Sequence, residues 1–124
     1  MKIGDSSETT RIFTPQDLRD YAALSGHKGA VKSDRVPGPL IDVLISYVLT
    51  EQLPGKGTKS LEHQTHFQPG AVVGEPLTAK VEITKLVPEE QLAEFATTCR
   101  RADGKIIARG RVLVHIDDPV PRSD

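Results

Sequence analysis

The stretch 39-PLIDVLISYVLTEQL-53 constrains the fold more than any other. Up to Thr50, only Asp42, Ser46 and Thr50, at four-residue spacing, interrupt an otherwise apolar surface. A helix that covers one flank of a soluble protein carries a single apolar stripe, whereas one that is apolar nearly all round must be buried on most sides. Pro39 suits the first turn, where its missing N–H costs nothing, and Pro54-Gly55 stops the helix. The run is too short and too interrupted to cross a membrane. The rest of the chain therefore has to wrap it.

The material for wrapping follows it. In 60-SLEHQTHF-67, Leu61, His63, Thr65 and Phe67 share one face of a strand. In 77-LTAKVEIT-84, Leu77, Ala79, Val81 and Ile83 alternate with polar residues. In 91-QLAEFATTCR-100, Ala93, Phe95, Thr97 and Cys99 share a face. Asp103-Gly104 is a hairpin turn leading to 106-IIARGRVLVHI-116, where Ile106, Ala108, Val112, Val114 and Ile116 fall on one side. Gly110 takes an inward slot there, which marks a bulge or a close backbone contact. About four antiparallel strands are thus expected after the helix. Upstream, Thr14-Pro15-Gln16-Asp17 starts another helix: Thr14 caps, Pro15 takes the first position, Asp17 closes a capping box, and Phe13 and Leu18 occupy the staple positions. Leu18, Tyr21, Ala22 and Leu24 form its apolar face, and Gly26 is a left-handed cap. Helices followed by strands give an α+β class: one domain over residues 1–124, with 117-DDPVPRSD-124 a frayed, disordered tail. A small sheet leaves open edges, and pairing two copies across them is a natural remedy.

Composition removes several functions. The formal net charge is −1, so nothing draws the chain to nucleic acid or an anionic membrane surface. Aromatic residues are 4% of the chain, too few for a base-stacking platform. The single cysteine, Cys99, forms no internal disulfide, in keeping with a reducing cytoplasm, and reads as a small core residue. The start MKIGDSSETT lacks a signal-peptide pattern. His63 and His66, at odd spacing, fall on opposite strand faces, and His115 lies opposite Val114 and Ile116 and is expected on the surface. No metal site and no cofactor are expected.

Four pieces together resemble the MaoC-like branch of (R)-specific enoyl-CoA hydratases and 3-hydroxyacyl dehydratases. They are 13-FTPQDLRDYAALSG-26, Gly38 before the central helix, 67-FQPGAVVGEPLTAKVEI-83 and 103-DGKIIARGRVLV-114. The resemblance implies a hotdog fold, a long central helix wrapped by an antiparallel sheet of five or six strands. It also implies dimerisation, with itself or with a homologous chain, and an acyl-CoA or acyl-carrier-protein thioester as substrate.

The family's catalytic Asp/His motif is absent. Ser25-Gly26 is followed by His27, where the family keeps a carboxylate; there is no Asn-Pro-x-His, and Pro37 rather than histidine precedes Gly38. His27 and Asp34 are the loop's acid/base pair and the catalytic candidates, His27 as general acid/base and Asp34 orienting its ring. Gly38, at the positive end of the central helix, is a candidate to hold a thioester oxygen, a role Pro39 cannot share. Leu40, Leu44 and Tyr47, at three- and four-residue spacing, are candidates to line the acyl chain. Asp42 reads first as a dipole-stabilised carboxylate and second as a general base for thioester hydrolysis. Lys28, Lys32 and Arg35 either meet carrier phosphates or are simply solvated. Three readings stay open: a hydratase or dehydratase (a hydro-lyase) with a relocated acid/base pair, a non-catalytic thioester-binding partner subunit, or a hotdog thioesterase.

Overall fold

The computed structural model describes residues 1–26, 34–55 and 57–116. The elements are β1 (Ser6–Ile12), α1 (Pro15–Ser25), α2 (Gly38–Glu51), β2 (Thr58–Phe67), β3 (Pro76–Val87), β4 (Leu92–Arg101) and β5 (Ile106–Ile116). One antiparallel sheet runs in the order β1-β3-β4-β5-β2. The α+β class, the central helix and the last four strands agree with the sequence. The strand β1 does not: its sequence SSETTRI is polar, and it exists because it pairs along β3 from Ser6 opposite Glu82 to Ile12 opposite Pro76. The sheet therefore has five strands rather than about four.

Local chemistry accounts for α1. The Thr14 side chain accepts from the Asp17 N–H at 3.2 Å, and the Asp17 carboxylate accepts from the Thr14 N–H at 2.8 Å, so the capping box is complete. Gly26 ends the helix in the left-handed region at φ 80°. Phe13 and Leu18 are both buried. Leu24 departs from the expected apolar face, being 91% exposed.

Helix α2 lies against the inner face of the sheet. Ile41, Leu44, Ile45, Val48 and Leu49 meet Leu77, Ala79, Val81 and Ile83 of β3, Ala93 and Phe95 of β4, and Val112 and Val114 of β5 in one core. Fully burying a side chain of this size contributes about 1.5–3 kcal/mol, so this helix–sheet contact is a large source of stability. The helix is less enclosed than its composition suggests. Val43 remains 60% exposed and Tyr47 50% exposed, leaving an apolar ridge that one chain does not cover. Cys99 is buried, and burial pushes its thiol up to about 11. His115 is half-buried rather than on the surface, because it pairs in register with both Lys59 and Leu92.

Strand β2 is an edge strand and is exposed along most of its length. A bulge between Ser60 and Glu62 shifts its register, so Leu61 falls outside the alternation expected of it and is exposed. Opposite it, Gly110 has no room for a side chain: a Cβ there would lie 1.9 Å from the Gln64 carbonyl oxygen. The close backbone contact expected of this glycine is present.

Candidate functional site

Helix α2 separates two sites. On the side of β1 and α1 lies an apolar groove with a volume of ≈ 680 Å³. Leu40, Val43, Leu44 and Tyr47 form its α2 wall, Phe13, Tyr21 and Leu24 the opposite wall, and Thr9 to Arg11 its β1 flank. The three leucine and tyrosine positions proposed from helical spacing therefore converge on one surface, and the exposed Leu24 also belongs to it. Its rim is polar. Arg11 donates to Asp17 at 3.0 Å and stacks over the Phe13 ring at 5.0 Å. The Thr14 backbone N–H holds the Asp17 carboxyl below the usual carboxylate range; burial opposes it, and Arg11 adds a lesser lowering.

On the side of β2, a second pocket of ≈ 200 Å³ opens beside the start of α2, with Val36, Gly38, Ile41, Phe67 and Ala71 among its walls. Gly38 belongs here and not to the groove. The helix starts at Pro37 without a side-chain cap. Leu40 gives its N–H to the Pro37 carbonyl at 3.0 Å, and Pro39 has none, so Gly38 supplies the first-turn donor left for a ligand oxygen. A Cβ at Gly38 would stand 3.2 Å from the Phe67 ring, so the ring seats directly against this backbone.

Sequence reasoning missed one constellation on this side. Asp42 of α2 meets two side chains of β2: the Thr65 hydroxyl donates to Asp42 Oδ1 at 3.2 Å, and His63 Nε2 lies 3.4 Å from the same oxygen. His63 Nε2 and Thr65 Oγ1 are 2.9 Å apart. Strand alternation puts His63 and Thr65 on one face; nothing in the sequence connects that face to Asp42. Among the described residues no group of three or more His, Cys, Asp or Glu side chains converges as metal ligands would.

The loop candidates fare differently. His27 lies outside the described residues, as do Lys28 and Lys32. Asp34 is exposed, and its carbonyl accepts from the Val73 N–H at 2.8 Å, which fixes the backbone just before the Arg35–Val72 bridge. Its carboxyl lines neither the groove nor the smaller pocket. Arg35 lies on the wall of the smaller pocket.

No protein-family model matches the chain. The 3-hydroxybutyryl-CoA dehydratase of Methylorubrum extorquens is 34% identical, the match covering 94% of this chain and 81% of that protein. The chain belongs to the hotdog-fold (R)-specific enoyl-CoA hydratase and 3-hydroxyacyl dehydratase family. A further member of this hydratase family, the (R)-specific enoyl-CoA hydratase of Rhodospirillum rubrum, is 29% identical over 94% of this chain and 88% of its own length. The crystal structure of the (R)-hydratase from A. caviae superposes with a TM-score of 0.86 at 26% identity, over 94% of this chain and 97% of that one. The hotdog arrangement expected of a hydratase-family chain is thus the one present.

Proposed function

We propose that this chain binds an acyl thioester with its acyl group along the apolar face of α2, and acts as a hydro-lyase on the α,β-carbons. The observation that carries this reading is the groove. Leu40, Val43, Leu44 and Tyr47 present a continuous apolar wall of the size that small-molecule sites have, in a chain whose relatives are hydratases and dehydratases of acyl-CoA. Coenzyme A and acyl-carrier protein both present the same thioester, and either serves as carrier. His27 and Asp34 are the acid/base candidates of this reading. The working unit is a dimer, of two copies or of this chain with a homologue, joined along the open edge of β2, where the exposed Leu61 and Phe67 lie. No described helix is long and apolar enough to cross a membrane.

Calorimetry with butyryl-CoA and decanoyl-CoA tests the binding, and loss of the enoyl absorbance of crotonyl-CoA tests the reaction. Val43→Trp, which adds bulk at an exposed groove position, is expected to weaken acyl binding at least tenfold without unfolding the chain. His27→Ala is expected to slow hydration ~10²–10⁴-fold, the usual contribution of a general acid/base. Absence of binding to either acyl-CoA overturns the proposal. The donor lost at Pro39 favours a second reading, in which the chain binds thioester for a catalytically intact partner. Hydration seen only after adding a homologous chain is the outcome that selects it.

A further inference from the structure

We infer that the acyl group this groove takes carries a ring or comparable branching rather than a straight chain. The inference rests on the thioester reading above and names the substrate class within it. Width is the observation behind it. On α2 the lining runs from Pro39 to Tyr47, which is about 12 Å of helix rise. On α1 it runs from Asp17 to Ser25, again about 12 Å. A volume of ≈ 680 Å³ spread over that length leaves a mean cross-section of about 55 Å². A methylene zigzag with bonds of ~1.5 Å, and with about a water's ≈ 30 Å³ per CH₂, has a cross-section on the order of 20–25 Å². The groove is therefore more than twice as wide as a straight acyl chain.

That excess width has a consequence for affinity. A straight chain lying along the α2 wall leaves Tyr21 and Leu24 of the opposite wall facing water. Each methylene that stays wet forfeits about fourfold in affinity. A six-membered ring sets two short methylene strands side by side, so it reaches both walls at once. The exposed apolar side chains are the ones such a group would cover: Val43 and Tyr47 on one wall, Leu24 on the other. The groove's charged residues call for no charged tail on the occupant, because each is engaged within the chain. Arg11 pairs with Asp17 at 3.0 Å, and Asp20 accepts from Gln16 Nε2 at 2.8 Å. The occupant is therefore broad and hydrocarbon.

Calorimetry on the full chain tests this by comparing decanoyl-CoA with 4-cyclohexylbutanoyl-CoA, which has the same number of acyl carbons. The ring-bearing thioester is expected to bind about tenfold more tightly, the gain from roughly two more methylenes against a wall. A ring also loses less internal rotation on binding, and Leu24→Trp separates the two causes. This substitution narrows the groove from a position that is 91% exposed, so the melting temperature should stay close to that of the wild type. It should abolish the preference by weakening the ring-bearing ligand, while decanoyl-CoA on the α2 wall binds about as before. A preference that survives Leu24→Trp overturns the inference, since width would not be its cause. Wild-type binding of decanoyl-CoA as tight as that of its ring-bearing counterpart, or tighter, overturns it too and leaves the thioester reading standing. Binding of neither overturns both.

Discussion

Replacing Gly110 by alanine should detach β2 from the sheet. Gly110 pairs with Thr65 on one side and Thr97 on the other, so its neighbours are backbone. The added Cβ would stand 1.9 Å from the Gln64 carbonyl oxygen, and 2.9 Å from both the Gln64 carbonyl carbon and Thr65 Cα. A carbon–oxygen contact of this kind settles near 3.3 Å, so the strands must part by about 1.4 Å. A ladder hydrogen bond already near 2.9 Å does not survive that displacement. The side that yields is β2, because it is the edge strand while β5 is held by β4. Overpacking costs ~1–3 kcal/mol. Losing about two ladder bonds adds ~1 kcal/mol each. The sum, ~3–5 kcal/mol, lowers the melting temperature of a domain this size by ~10–20 °C. Thermal unfolding followed by circular dichroism measures it, and amide exchange across 58–67 should accelerate before the rest of the sheet. Gly104→Ala is the control: its φ is 89° with nothing within 4 Å of the new Cβ, so it carries only backbone strain of ~1–2 kcal/mol. If Gly110→Ala melts within ~2 °C of the wild type, the backbone contact is not what requires glycine here.

Four further outcomes follow from the same structure. Thr14→Ala removes the acceptor for the Asp17 N–H and should cost ~0.5–2 kcal/mol in chemical denaturation, with α1 fraying first. Asp17 has a folded-state pKa below the ordinary carboxyl value of 3.8, so its stabilisation is complete above that value and is lost as pH falls below it; Asp17→Asn should flatten this part of the stability–pH curve. Cys99 is buried with its thiol raised to about 11, so a thiol reagent at neutral pH should modify it only as the chain unfolds. Because the unfolded thiol ionises at its ordinary value of 9.0, stability should decline as pH rises from there towards 11.

The sequence alone determined what depends on neighbours along the chain. Thr14, Asp17 and Gly26 specify both ends of α1 because caps are satisfied within a few residues. The nearly all-round apolarity of 39–53 specifies a central helix, and period-two alternation specifies β3, β4 and β5, because each pattern records which face is buried. Family membership was legible for the same reason, in the quoted segments around α1, β3 and β5. Tertiary structure decided what depends on distant partners. The polar stretch Ser6–Ile12 becomes a strand only because β3 offers it an edge. The surplus apolar face of α2 becomes a groove wall only once α1 and β1 are in place. His63 and Asp42 are the clearest case. Periodicity assigned each a face of its own element, and that is all periodicity contains. Which strand face lies over which helix flank is set by the sheet order and the β2 register, so a contact between residues so far apart in sequence belongs to the folded chain alone.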